Sequence, residues 1–218
     1  DGGLFEIRHV THEPPAEWLA ASLPAQARLG FDPWLHTTHQ AAALQRACAK
    51  AHAHAVAVDD NPVDAIWAGQ PPPPLAPIVP HSPPFAETPA AEKRHRLAEG
   101  LRNDGHDAAF LAQPDGIAWL LDVRGGDVPF TPLALAFALL HADGRVDLFA
   151  DPRKLTPETR AHLGPEVTVA VPSALGAALD ALAARGRTVR VDPDGVPEWV
   201  AQRLRAGGAV VAELPDPC

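Results

Sequence analysis

A chain of 218 residues with 46% hydrophobic and 21% charged side chains has the make-up of a globular protein with a true core, which excludes wholesale disorder. Its formal net charge of -9, with no dense basic stripe, excludes a nucleic-acid surface, because a phosphate backbone demands clustered Lys and Arg. Only Cys48 and Cys218 are present, which excludes a disulfide framework and points to the reducing cytoplasm.

The elements alternate from the N-terminus. Residues 4–10 read as a short strand. Residues 13–23 read as a helix opened by Pro14 and Pro15, whose fixed φ suits a first turn. A strand is expected over 27–31 and a helix over 37–51, with Leu44 and Cys48 one turn apart on its inner face. Residues 54–58 form a third strand, and Asn61 caps a short helix through Trp67. About three strands are too few to close a core, so this unit reads as the tail of a domain that begins upstream.

Residues 70–89, QPPPPLAPIVPHSPPFAETP, break the pattern. Proline fixes φ and lacks an N–H, so the stretch is expected to run extended as a stiff connector. Beyond it, residues 90–104 form a charged helix stopped by Gly105, and residues 108–112 a buried strand. Pro114 opens a helix that turns Ile117, Leu120 and Leu121 inward, and a turn-rich loop occupies 123–132. Strands over 133–141 and 145–150 are joined through Asp143-Gly144 as a hairpin. A helix over 156–163 and a strand over 167–171 follow. Ser173 then caps a helix over 174–185, before a strand (188–191), a helix (196–206) and a last strand (209–213). The fold class is α/β, with mixed sheets flanked by helices. The expected division is a truncated domain over 1–69, a linker over 70–89 and a complete domain over 90–218.

Eleven histidines invite a metal reading, yet no HExxH and no cysteine pair at zinc spacing occurs. His9 with His12, and His36 with His39, stand three apart but fall at element boundaries, so scattered surface histidine is the better reading. His52 and His54 straddle a helix end. No GxSxG and no Cys-His context supports a nucleophile, and Gly125-Gly126 lacks a dinucleotide-binding setting. Asp115, Asp122 and Asp127 are candidates for a carboxylate cluster, but Asp115 suits a helix's first turn and the others suit turns. No catalytic residue and no metal ligand is therefore assigned to this chain. No Met and no signal peptide are visible, and the longest apolar run, 132–141, is too short to span a bilayer. Both ends read as cut from something longer.

The segment 114–132 is specified beyond core and surface. Its glycines, Gly125 and Gly126, are expected to supply unusual φ values. Arg124 is placed to bridge Asp127 or a carboxylate of a neighbouring surface. This segment resembles one in the Xaa-Pro aminopeptidases of the creatinase/prolidase superfamily, where (D/E)-x-I-A-W-L-L-N runs into R-G-x-D-(I/V)-P-(Y/F)-x-P. Here Asp115-Gly116-Ile117-Ala118-Trp119-Leu120-Leu121-Asp122 precedes Arg124-Gly125-Gly126-Asp127-Val128-Pro129-Phe130-Thr131-Pro132, with Asp122 in place of the usual Asn. Gly30-Phe31-Asp32-Pro33-Trp34-Leu35-His36 and Asn61-Pro62-Val63-Asp64-Ala65-Ile66-Trp67 resemble two further motifs of that family, in the same order.

The resemblance implies two creatinase N-terminal-like units from the non-catalytic N-terminal region of an Xaa-Pro aminopeptidase. It implies a cytoplasmic, homodimeric enzyme whose C-terminal catalytic domain holds two Mn²⁺ on Asp, His and Glu side chains and cleaves peptides with proline second. This chain would bind no cofactor itself. Arg124 and Asp127 would face the catalytic domain, and the region would shape access to the active site and support dimer contacts. Rival readings are a stand-alone interaction or dimerisation module, the N-terminal region of a prolidase or creatinase, and a ribonuclease-H-like nuclease built on clustered carboxylates.

Overall fold

A computed structural model describes residues 3–4, 6–81 and 88–218, and the chain divides into two units, Asp1–Gln70 and Pro71–Cys218. In the first, helix α1 (Pro15–Ser22) precedes strand β1 (Arg28–Phe31), helix α2 (Thr38–Lys50), strand β2 (His54–Ala57) and helix α3 (Pro62–Ile66). Helix α2 starts where it does because Thr37 and Gln40 form a capping box. The Thr37 hydroxyl accepts from the Gln40 amide, and the Gln40 side chain accepts from the Thr37 amide. Strands β1 and β2 pair in parallel from Arg28 opposite His54 to Phe31 opposite Ala57. The strand expected over 4–10 is not found. Residues 6–10 are irregular or turn, and Phe5 lies outside the described residues. This unit therefore has two strands among its described residues rather than three, and the buried apolar residues among them are few: Phe31, Ala41, Ala47, Cys48 and Ala53.

The second unit holds a six-stranded mixed sheet. Its elements run β3 (Val79–Pro80), α4 (Ala90–Asn103), β4 (Ala108–Leu111), α5 (Pro114–Leu121), β5 (Val123–Arg124), β6 (Phe137–His141) and β7 (Val146–Phe149). They continue with α6 (Pro157–Leu163), β8 (Val167–Ala170), α7 (Leu175–Ala183), β9 (Thr188–Val191), α8 (Glu198–Ala206) and β10 (Val210–Glu213). The sheet order is β10-β9-β4-β6-β7-β8. Strands β10, β9 and β4 are parallel, β6 is antiparallel to both β4 and β7, and β8 is parallel to β7.

Side-chain alternation along the strands builds two cores. On one face Ala109 and Leu111 of β4 join Leu101 of α4 and Ile117, Leu120 and Leu121 of α5. On the other, Phe110 joins Leu179 of α7, Val191, and Val200 and Leu204 of α8. Strand β4 is thus buried along its whole length. The Asp143-Gly144 hairpin forms as expected, with Gly144 at φ +89°.

The proline-rich stretch carries no regular element over 71–77 and then enters a two-stranded ribbon of its own, while its residues 82–87 lie outside the described residues. Buried Ile78 donates its amide to the Lys154 carbonyl at 2.8 Å, and β3 pairs antiparallel with β5. Proline is tolerated there because the ribbon has only two strands. Strand β6 begins at Phe137, not at 133, because the backbone of 133–135 is engaged in loop hydrogen bonds. Ser173 caps nothing: it sits within a 3₁₀ turn, Pro172–Ala174, and α7 starts from Ala174 with no side-chain cap. No helix among the described residues is long and apolar enough to cross a membrane.

Candidate functional site

Helix α5 hands the chain to the loop through Asp122, which sits in the left-handed region at φ 50°. Asn and Asp are the non-glycine residues best suited to that conformation, so Asp can replace Asn here without backbone cost. Its carboxylate is not idle. Lys93 of α4, 3% exposed, donates to Asp122 Oδ1 and to the Trp119 carbonyl, and its Nζ lies 4.9 Å from the centre of the Trp119 ring. A buried ammonium needs such an arrangement of charge, acceptor and π face to offset desolvation.

The expected Arg124–Asp127 bridge does not form. Asp127 turns inward, with no exposed side-chain area. Its Oδ2 accepts from Lys154 Nζ at 2.5 Å and from the Leu135 amide at 2.7 Å, while Oδ1 is buried without a partner. Lys154 also donates to the Leu135 carbonyl at 3.2 Å. Arg124 is half-buried and gives its guanidinium to the Val123 carbonyl at 2.8 Å. A lysine outcompetes the nearer arginine because β5 directs Arg124 away along the β3–β5 ribbon, where it lies opposite Val79.

Nor do the glycines supply unusual backbone angles, for neither Gly125 nor Gly126 has positive φ. Gly125 is required by close approach instead: a Cβ there would lie 2.7 Å from the Ala134 backbone. The positive φ of this loop falls on Phe130, at 60°. Ladder-like bonds hold the loop shut, from the Gly125 amide to the Pro132 carbonyl at 3.2 Å and from the Asp127 amide to the Leu133 carbonyl at 3.3 Å.

In the first unit the two motif segments meet. Asn61 Nδ2 donates to Asp32 Oδ2 at 2.8 Å, and Asn61 Oδ1 caps α3 by accepting from the Val63 amide at 2.9 Å. Asp32 Oδ1 accepts from the Trp34 amide at 2.8 Å, and the Asp32 carbonyl is bonded to His36 Nδ1 at 2.8 Å. Asp32 follows β1 and Asn61 follows β2, so parallel pairing brings both to the same sheet end. There they line a cavity of about 630 Å³ with Trp34, Asp59, Asp60 and Asp64. The Asp32–Asn61 pair went unread in the sequence, although its signal was present: two polar residues just past the ends of neighbouring parallel strands.

The three candidate carboxylates are not one cluster. Asp122 and Asp127 are each committed to a different lysine, and Asp115 sits in the first turn of α5. Asp115 lines a separate cavity of about 360 Å³ with Gln113, Gly116, Trp119 and Asp216. Burial pushes the Asp216 carboxyl above its usual range, and the charges of Asp192 and Asp115 add to that shift. Among the described residues no three His, Cys, Asp or Glu side chains come together to hold a metal ion. The exposed rings of His9 and His12 lie 4.5 Å apart without a converging carboxylate ligand set.

The family model for the Creatinase/Prolidase N-terminal domain matches residues 69–218, the whole sheet-bearing unit. The chain belongs to this family. As a creatinase/prolidase N-terminal domain it has relatives among full-length peptidases. It is 34% identical over 154 residues to a probable Xaa-Pro aminopeptidase P of Aspergillus niger, covering 70% of this chain and 25% of that protein. It is 33% identical over 181 residues to aminopeptidase P2 of Arabidopsis thaliana, covering 82% and 25%. The chain thus spans about a quarter of the length of the curated relatives it matches. Its fold is similar to part of an X-prolyl aminopeptidase from Caenorhabditis elegans, with a TM-score of 0.83 and 24% identity over 92% of this chain and 33% of that one. That protein is described as a cytosolic enzyme with a di-nuclear active site.

Proposed function

We propose that this chain is the non-catalytic N-terminal region of a metal-dependent Xaa-Pro aminopeptidase. The observation that carries the proposal is the combination of family membership with relatives named as aminopeptidases P, each matched over about a quarter of its length. The remaining length of such a protein is where the chemistry belongs, in a C-terminal catalytic domain with two metal ions, Mn²⁺ in our reading. Among the described residues no group of three metal-ligating side chains comes together, and the carboxylates nearest the family motif are bound to Lys93 and Lys154. Arg124 and the loop locked by Asp127 then form the surface toward the catalytic domain. The region limits access to substrates whose second residue is proline, and it supports a cytoplasmic homodimer.

The test compares this chain with the product of the uninterrupted coding sequence, both assayed on an Xaa-Pro peptide with Mn²⁺. Cleavage is expected from the long product alone, abolished by chelation and restored by metal. Cleavage by the 218-residue chain alone would overturn the assignment. A long product that accepts only dipeptides would move it to the prolidases.

A further inference from the structure

We infer that Phe130 is a preformed anchor that seats this region on the catalytic domain, an inference that rests on the function proposed above. Residues Val128 to Thr131 make a tight turn closed by the Thr131 amide on the Val128 carbonyl at 3.1 Å, with Pro129 and Phe130 at its centre. Pro129 suits the first central position. The second requires positive φ and is ordinarily given to Gly or Asn. Here it holds Phe130 at φ 60°, fully exposed at 107% of its reference area. A bulky side chain in that conformation is a true outlier. The chain accepts backbone strain and a solvated phenyl ring together, with no packing of its own in return.

Such an outlier points to use, and the rest of the loop says which. Its base is fixed by the buried Lys154–Asp127 pair and by the bonds to Pro132, Leu133 and Leu135. The ring is therefore held away from the body rather than left to collapse onto it. Val128 and Leu135, 38% and 44% exposed, add apolar area on the same loop. A rigid aromatic at the tip of a locked loop has the properties of an interface hot spot, because little side-chain or loop entropy remains to be lost on docking.

The occupant we assign is the catalytic domain rather than a second copy of this chain. About three quarters of the length of the matched relatives lies outside the part this chain covers, and the receiving surface belongs there.

The experiment uses the long coding product with p-benzoylphenylalanine at position 130, which keeps an aromatic at the tip. Irradiation is expected to crosslink it to residues beyond 218. Crosslinks confined to residues 1–218 of another copy, or no protein crosslink, would overturn the inference. A second arm reads a sign. Phe130→Gly removes ring and strain together, so at an uncovered tip it raises the thermal midpoint. In the long product a fall of a few degrees is expected, and a rise overturns the docking. Xaa-Pro cleavage is scored separately on the same protein. An active enzyme without downstream crosslinks sinks the anchor alone, and an inactive one with them sinks the proposed activity.

Discussion

At Asp122 a single side chain serves as helix stop and as counter-ion. Lys93→Met leaves its carboxylate buried at 7% exposure with no cation, which is expected to cost about 3–5 kcal/mol. Asp122→Asn keeps the left-handed preference and one acceptor oxygen but strands the ammonium, at an expected cost of about 1–3 kcal/mol. The double variant is expected to be more stable than Lys93→Met, because no unpaired charge remains. Urea unfolding of the four chains measures all three differences, and a double variant at the sum of the singles would refute the pairing. The residue scale is also where the sequence was hardest to read. Spacing put Arg124 near Asp127, yet the partner is Lys154, 27 positions away. Lys93 stands 29 positions before Asp122. Local periodicity carries no information about such pairings, because only the packed sheet brings α4 and the 152–154 turn to the loop.

At the scale of elements, most of the helices and strands were legible, because their apolar residues follow the period of 3.6 or 2 that burial on a sheet imposes. The misread stretches differ in cause. At 133–135 loop hydrogen bonds overrode local preference, at Ser173 a 3₁₀ turn did, and residues 6–10 are irregular or turn. One contact between elements sets a pH dependence. Arg203 of α8 donates to Asp180 of α7 at 2.8 and 2.7 Å and to the Gly176 carbonyl at 3.1 Å. That hydrogen bond holds the Asp180 carboxyl below its ordinary 3.8. A depressed carboxylate pKa contributes stability above the unfolded value and loses it as pH falls through the folded one. The thermal midpoint of Asp180→Asn is therefore expected to lie below that of the parent by a constant gap from pH 7 to about 5. The gap then closes in acid below 3.8. A gap that persists unchanged into acid would show that packing, not charge, sets it.

The whole molecule is two units with buried cores of unequal size. Membership in an α/β family and the order of three motifs could be read from residues alone, whereas the Asp32–Asn61 contact required the strand pairing. Both large apolar clusters, one on each face of the sheet, belong to the second unit. The first unit buries mainly alanines with Phe31 and Cys48, and it leaves Val63, Ile66 and Trp67 exposed. Its sheet is two parallel strands, an arrangement that natural domains normally cover on both faces. Stability in such a chain is distributed unevenly, and the unit with the smaller core opens first. Two transitions in urea are therefore expected, the earlier with the shallower denaturant dependence because it exposes less surface. The tryptophans separate them: Trp18, Trp34 and Trp67 lie in the first unit, and Trp119 and Trp199 in the second. In a Trp119→Phe, Trp199→Phe chain fluorescence should follow only the early transition, while far-ultraviolet dichroism retains the later one. If fluorescence and dichroism instead coincide in a single sigmoid, the two units share one cooperative transition. The weakness assigned to the small parallel sheet is then wrong.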